Sequence, residues 1–243
     1  MKHLIVSGCS FTFESWNWPT PVANAFNMKL YNVGMGSMGN RLIARRLVAQ
    51  TQKLLDKGIN PSDIICGVMW SGISRYDRYT HTGKIITSDK YTVENPTHIT
   101  NDKEKSWEIL NQHWDSENSF NFYRYNYTDQ DLALDTVYHI LFVQNYLNLK
   151  GIKYFMSTYM DIFKEIISKK NTDINFFYNM IDFSKFLSIK GCMEWCKDQN
   201  NSNYINLGPQ HDHPFSEGHE AFANQVVIPF LIDVYSLKPF NII

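Results

Sequence analysis

The sequence predicts an α/β protein in which a mostly parallel sheet of five strands is covered by helices on both faces. Short apolar runs alternate along the 243 residues with longer segments whose apolar residues recur at helical spacing. The run at 63–70 is apolar without alternation, which is typical of a strand buried on both faces. Strands that alternate with helices favour parallel pairing through helical crossovers.

The first part of the chain supplies two further strands and a long helix. The strands are expected over 3–8 and 29–34, where apolar residues predominate. The helix is expected from Asn40, its predicted N-cap, to Lys57, with Gly58 as the stop signal.

The second part of the chain continues the alternation. A capping box, with Asp in place of the usual Glu, opens its first helix. The expected elements are a helix opened at 128–131 and ended at Gly151, a strand at 152–157, helical segments within 160–198, a strand at 204–207, and a last helix from Ser216 that is interrupted at Pro229.

The whole chain, 1–243, is expected to form a single domain, because neither a linker nor a repeat divides it. The segment 77–127 is polar but rich in aromatic residues, which favours a packed insertion over disorder. We expect this insertion to lie over the carboxyl edge of the sheet as a partial lid. Its rings could also form a stacking surface for sugars.

Composition and charge exclude several classes of function. The net charge is −1 and no long basic run occurs, which argues against binding to nucleic acid or to an anionic membrane. No apolar run approaches the length of a membrane span, and no signal peptide precedes the first strand, so we expect a cytoplasmic protein. The four cysteines lack a partner pair at zinc-ligand spacing, which favours reduced, buried thiols and no metal site.

Polar residues cluster directly after several predicted strands. Ser10 follows the first strand, 34–40 the second, 71–75 the third, and His213 stands just before the last helix. Ligands of parallel α/β sheets bind at the carboxyl ends of the strands. A serine there needs a neighbouring base to take its proton, and histidine has a suitable pKa. Ser10 and His213 are therefore a candidate nucleophile and base.

Three blocks of the sequence occur in the order and spacing of a known family. They are GCSFT at 8–12, NVGMGSMGN at 32–40, and His-Pro followed by Gly-His within 213–219. The arrangement resembles the SGNH, or GDSL-like, hydrolase superfamily over nearly the whole chain. The first block and WSGISRYD at 70–77 are similar to divergent members from marine phages and bacteria, which would make a virion-associated location an alternative to the cytoplasm.

This resemblance implies a three-layer α/β/α sandwich with strands in flavodoxin-like order, and a serine esterase that needs no metal or organic cofactor. The expected substrate is a short acyl, acetyl-type ester, with carbohydrate as one class of alcohol. The implied catalytic residues are Ser10, His213 and, as the triad acid, Asp212. The implied oxyanion or substrate-binding residues are Gly36, Ser37, Gly39, Asn40 and Ser71.

Two departures from the family pattern leave alternatives open. The family's triad acid stands three residues before the histidine, where this chain has Gln210, so a Ser–His dyad is favoured over a triad with Asp212. The oxyanion Asn of the third block is missing, and Ser71 or Asn40 could replace it. A non-catalytic carbohydrate-binding or virion-associated module and an O-acyltransferase are the alternative functions.

Residues near the predicted site carry their own alternatives. Arg75 and Asp77 are expected either to pair within a loop or to contact substrate. His211 and His219 are expected to be polar surface or helix-capping residues.

Overall fold

The computed structural model of the chain describes residues 1–80, 84–87, 92–94, 106–111, 117–169, 172–205 and 213–240. In chain order the strands are β1 (His3–Gly8), β2 (Lys29–Asn32), β3 (Ile64–Trp70), β4 (Arg75–Thr80), β5 (Lys84–Thr87), β6 (Thr92–Glu94), β7 (Ser106–Asn111) and β8 (Lys153–Thr158). The helices are α1 (Ser10–Phe13), α2 (Pro19–Ala25), α3 (Asn40–Asp56), α4 (Glu117–Tyr125), α5 (Asp129–Leu149), α6 (Ile162–Ser168), α7 (Thr172–Tyr178), α8 (Cys192–Asp198), α9 (Ser216–Phe222) and α10 (Ile228–Tyr235).

The central sheet of the described residues has four parallel strands in the order β2-β1-β3-β8. The prediction of a parallel α/β sheet is confirmed, and these four strands have the expected flavodoxin-like order. The register pairs Gly8 of β1 with Met69 of β3, so the two strands end at the same edge. The chain leaves both strands at that edge, which positions the segments after them close together.

The prediction of a fifth strand at 204–207 is wrong. Tyr204 lies in a turn and Ile205 forms only an isolated antiparallel bridge to Pro214, while 206–207 lie outside the described residues. The place beside β8 is taken by Phe186, which forms a parallel bridge to Met156. The sequence at 204–207 could not distinguish a full strand from a single bridge, because a short apolar run is compatible with either.

Side chains of the sheet alternate between its two faces, and each face is apolar, so a layer of helices covers each of them. Ile5 on β1 packs with the apolar residues of α3 and α5, while its neighbour Leu4 packs with those of α2, α8, α9 and α10. The structure therefore has the expected three layers. All four cysteines are buried and free, as predicted.

A second sheet, in the order β4-β7-β5-β6, forms within the predicted insertion. Its first strand begins at Arg75, two residues earlier than expected, and pairs antiparallel with β7. On α4 the hydroxyl of Tyr123 shares its one proton between the carbonyls of Ser74 and Leu110, at 2.8 and 2.9 Å, and its bond to Leu110 of β7 joins this helix to the second sheet. A role for this segment as a lid stays a prediction.

Several predicted boundaries differ from the observed ones. Strand β2 ends at Asn32 rather than at residue 34, and the N-cap of α3 is Gly39, with Asn40 as the first helical residue. The predicted last helix starts at Ser216 as expected, and its α-helical pattern is interrupted by a π-helical turn at Ala223–Val227. The interruption lies just before Pro229, which is in the first turn of α10.

The capping box at the start of α5 gives a prediction for stability. Thr128 Oγ1 accepts a hydrogen bond from the Asp131 N–H at 3.1 Å, and the Asp131 carboxylate accepts from the Thr128 N–H at 3.1 Å. Thr128→Ala should lower the free energy of unfolding by about 1 kcal/mol, because the first turn of α5 loses its acceptor. Urea denaturation measures this change. Thr128→Ser keeps the hydroxyl and should be nearly neutral, and equal losses in both variants would contradict the capping role.

Candidate functional site

Ser10 is held at the end of β1 by a turn that only glycine permits. Gly8 ends the strand, and a Cβ built on it would lie 2.2 Å from Thr12 Oγ1. Ser10 then begins the short helix α1 and stays partly exposed. The buried side chain of Asn17 donates to the carbonyl of Ser10 at 2.8 Å. The Ser10 hydroxyl is thus presented from a fixed backbone.

His213 meets Ser10 directly. Ser10 Oγ lies 2.7 Å from His213 Nε2, although 203 positions separate the two residues. The His213 ring packs against Phe11, with ring centroids 4.7 Å apart and planes at 36°. His213 is exposed and Ser10 partly exposed, so both can be reached from solvent. This distance allows the hydroxyl proton to pass to the imidazole when Nε2 is the unprotonated nitrogen.

The segment that carries His213 is positioned by its neighbours in the chain. Pro214 bridges to Ile205, and the Phe215 N–H donates to the Tyr204 carbonyl at 2.8 Å. Gly218 on α9 allows this contact, because a Cβ there would lie 2.2 Å from the Tyr204 oxygen. The Gly of the Gly-His motif is therefore needed for packing.

The acid that would orient His213 is not part of the described structure. Asp212, Gln210 and His211 all lie outside the described residues. The preference for a dyad over a triad with Asp212 therefore stays a prediction.

The turn after β2 is bound to the turn that carries Ser10. The Asn32 amide donates to the Thr12 carbonyl at 2.6 Å, and its oxygen accepts from the Gly34 N–H at 2.9 Å. The Met35 N–H donates to the Gly8 carbonyl at 3.1 Å. Sequence reasoning assigned no role to Asn17 or Asn32, because bonds to backbone carbonyls leave no pattern in the sequence.

Gly36 and Ser37 form the open part of this turn. A Cβ on Gly36 would meet nothing within 4 Å, and Ser37 has a left-handed backbone with φ of 65°. Both residues are partly exposed. Within the described part of the chain, the backbone N–H groups of Ser10, Gly36 and Ser37 have no backbone acceptor.

Gly39 and Asp77 fix the other end of the turn, where α3 begins. The buried Asp77 carboxylate accepts from the Gly39 N–H at 3.0 Å and from the Leu42 N–H at 2.9 Å. Burial raises the pKa of Asp77 to about 6, although both backbone N–H groups and the nearby Arg75 and Arg41 act to lower it. Asp77 thus caps α3 from the second sheet and does not form an ion pair within 4 Å among the described residues.

Asn40 and Ser71 bind each other inside the protein. The Asn40 oxygen accepts from the Ser71 N–H at 2.7 Å, and its amide donates to the Ser71 carbonyl at 3.0 Å and to Thr136 Oγ1 at 3.2 Å. Asn40 is 3% exposed. These bonds join the start of α3 to the end of β3, so the Asn40 side chain is committed to structure. Ser71 Oγ accepts from Arg75 Nη1 at 2.9 Å.

His219 lies beneath the site rather than on the surface, and the expectation for this residue is wrong. It is 1% exposed, and its ring lies 6.2 Å from that of Phe11 and 5.5 Å from that of Trp16. Burial, followed by the influence of His213, lowers the pKa of His219 to about 3. His219 is therefore neutral at physiological pH and adds no positive charge beneath His213.

Solved structures share the architecture of this chain. A protein assigned to the G-D-S-L lipolytic family from Desulfitobacterium hafniense DCB-2 superposes with a TM-score of 0.50 at 11% identity, over 95% of this chain and 100% of that chain. The chain has the GDSL-type fold. A G-D-S-L family member from Veillonella parvula DSM 2008 gives a TM-score of 0.45 at 10% identity, over 97% of this chain and 99% of that chain. No protein-family model matches the sequence, and no curated protein is significantly similar to it.

Two further findings concern the described residues of this GDSL-type fold. None of their helices is long and apolar enough to cross a membrane. Their His, Cys, Asp and Glu side chains form no group of three that could hold a metal ion.

Gly39 gives a test of how tightly the turn before α3 is packed. A Cβ at this position would lie 2.6 Å from Asp77 Oδ2 and 2.9 Å from the Arg75 carbonyl oxygen. Gly39→Ala should therefore lower the free energy of unfolding by about 1–3 kcal/mol, measured by urea denaturation. Gly36→Ala is the matched control in the same turn, and its effect should stay within about 0.5 kcal/mol. Equal effects of the two variants would contradict the packing described here.

The buried His219 gives a prediction for pH dependence. Its pKa is about 3 in the folded chain and about 6.5 when unfolded, so the unfolded chain binds the extra proton between these values. As the pH is lowered below 6.5, the contribution of His219 therefore reduces the free energy of unfolding. His219→Gln should lose this dependence and gain about 1.4 kcal/mol relative to the wild type for each pH unit below 6.5. The raised pKa of Asp77 has the opposite effect on stability, but Asp77 is present in both the wild type and His219→Gln, so it does not change the difference between them. Parallel stability curves from pH 7 to 4.5 would contradict the neutral, buried state of His219.

Proposed function

We propose that this chain is a serine esterase for short acyl, acetyl-type esters, with carbohydrates as one class of alcohol. The observation that carries the proposal is the distance of 2.7 Å between Ser10 Oγ and His213 Nε2 at the carboxyl edge of the sheet. A serine hydroxyl becomes an effective nucleophile when a base within hydrogen-bond reach takes its proton.

The reaction follows from this pair. Ser10 Oγ attacks the ester carbonyl while His213 Nε2 takes the hydroxyl proton. The tetrahedral intermediate collapses to an acyl-serine, and His213 returns the proton to the departing alcohol oxygen. A water molecule then attacks the acyl-serine with His213 again as base, which releases the carboxylic acid and restores the Ser10 hydroxyl.

The negative oxygen of the intermediate needs hydrogen-bond donors that are already in place. The backbone N–H groups of Ser10, Gly36 and Ser37 have no backbone acceptor within the described residues and belong to turns that Asn32 joins. We assign the oxyanion site to these N–H groups. Asn40 does not face the substrate in this assignment. Its side-chain amide binds the backbone of Ser71 and so joins the start of α3 to the end of β3.

Two other functions give different outcomes in the same experiments. An O-acyltransferase would use the same acyl-serine but pass the acyl group to a sugar hydroxyl, so products analysed with and without an acceptor sugar separate it from a hydrolase. A non-catalytic carbohydrate-binding or virion-associated module would leave Ser10 unreactive towards a fluorophosphonate.

Ser10→Ala should reduce kcat/KM for p-nitrophenyl acetate by roughly 10³-fold or more, since the nucleophile is removed. A fluorophosphonate probe should label the wild type and fail to label this variant. Ser62→Ala is the matched control, because Ser62 precedes β3 at the opposite edge of the sheet. Turnover or labelling retained in Ser10→Ala would exclude Ser10 as the nucleophile, and an unlabelled wild type would favour the non-catalytic module.

A further inference from the structure

Arg75 lies at the same edge of the sheet as the Ser10–His213 pair. Gly8 of β1 pairs with Met69 of β3, so Ser10 and Ser71 each stand two residues beyond a pair of adjacent strand positions. Arg75 Nη1 donates to Ser71 Oγ at 2.9 Å. The guanidinium is therefore anchored at the end of the strand next to the one that carries Ser10.

A row of ring contacts connects this guanidinium to His213. The guanidinium carbon of Arg75 lies 5.6 Å from the ring centroid of Tyr159, within the range of a cation–π contact. The Tyr159 ring lies 5.1 Å from that of Phe11, which lies 4.7 Å from that of His213. Arg75 is thus held in one orientation on an aromatic wall that ends at the general base.

Most N–H donors of the Arg75 guanidinium make no hydrogen bond within the described residues. A guanidinium carries five N–H donors, and within the described residues the Arg75 side chain makes one hydrogen bond, to the neutral Ser71 hydroxyl. No carboxylate of the described residues lies within 4 Å of it. The nearby Asp77 is influenced by its charge, but both Asp77 oxygens are bound to backbone N–H groups of α3.

Arg75 is partly buried, and a guanidinium that loses water is stabilised most by a negatively charged partner, which the described residues do not supply within 4 Å. The planar fork of arginine matches an oxyanion group, to which it can donate two parallel hydrogen bonds. A ligand with such a group would therefore supply an ion pair that the described residues do not make with Arg75.

We propose that Arg75 binds an oxyanion group, a carboxylate or a phosphate, of the molecule whose ester bond Ser10 attacks. The proposal rests on the proposed esterase function and narrows its substrate class to esters that carry a negative charge outside the acyl bond. Arg75 is then the residue that determines this specificity.

Two pairs of acetyl esters test the proposal, each made of a negatively charged ester and an uncharged counterpart. One pair is O-acetyl-3-hydroxybutyrate and its amide, and the other is acetylglycerol phosphate and acetylglycerol. The wild type should prefer the charged member of at least one pair by about tenfold or more in kcat/KM, and the preferred pair distinguishes carboxylate from phosphate. Arg75→Gln should reduce that ratio to about one, chiefly through a lower kcat/KM for the charged ester.

Arg41→Gln is the control for a general change in charge. The Arg41 guanidinium lies 5.5 Å from the Tyr76 ring centroid and donates to the Tyr76 hydroxyl at 2.7 Å. Like that of Arg75, its charge acts to lower the pKa of Asp77. This variant should keep the preference for charged esters. An equal preference in the wild type and in Arg75→Gln, or an equal loss in Arg41→Gln, would overturn the proposal.

A binding experiment separates this proposal from the esterase itself. In the Ser10→Ala background, succinate and inorganic phosphate are titrated while the thermal unfolding midpoint is followed. At least one anion should raise the midpoint, and Arg75→Gln should abolish that rise. An Arg75-dependent rise without ester cleavage by the wild type would support the anion site and remove the esterase. Cleavage of all four esters without charge preference, and no Arg75-dependent rise, would remove the anion site and leave the esterase.

Discussion

The close approach of three strand ends at Gly8 determines where the site can form. The Gly8 carbonyl accepts a hydrogen bond from Met35 after β2, and a Cβ on Gly8 would collide with Thr12 and approach the Met69 carbonyl of β3. A Cβ on Gly34 would in turn lie 3.1 Å from the Gly8 oxygen. A side chain at either glycine would separate the Ser10 turn from the turn that supplies the proposed oxyanion N–H groups.

The start of α3 depends on a different kind of interaction, a charge buried against a helix N-terminus. Asp77 loses its hydration, which raises its pKa, yet it gains two backbone N–H groups and the favourable end of the helix dipole. With a pKa of about 6, roughly nine-tenths of the Asp77 carboxyl is ionised at pH 7. The second sheet, through Asp77, therefore helps to hold the turn that faces Ser10, although it contributes no residue to the Ser–His pair.

The order of the sheet could be predicted because β1, β3 and β8 are apolar runs between clear stop signals, and the capping box of α5 is visible in four residues. The prediction that Ser10 and His213 lie at one edge used the rule that parallel strands end together, with His213 placed after the fifth strand. That strand does not form, and the His213 segment is positioned instead by the bridge between Ile205 and Pro214. The fifth strand could not be predicted, since Phe186 takes its place from within a segment whose pattern reads as helical. The roles of Asn40 and Asp77 were hidden because each binds a partner more than thirty positions away, and local spacing does not report such contacts.

The burial of His219 beneath the site bears on the chemistry of His213. Phe11 lies 4.7 Å from one histidine ring and 6.2 Å from the other, so it packs against both. A base must become positively charged in the transition state, and a second charge nearby would oppose this step. Because the pKa of His219 is about 3, this residue carries no positive charge at physiological pH that would oppose protonation of His213 in the proposed reaction. Within the described residues the buried His219 Nδ1 has no hydrogen-bond partner. The apolar packing of His219 thus keeps a second positive charge away from His213, which is compatible with the proposed reaction.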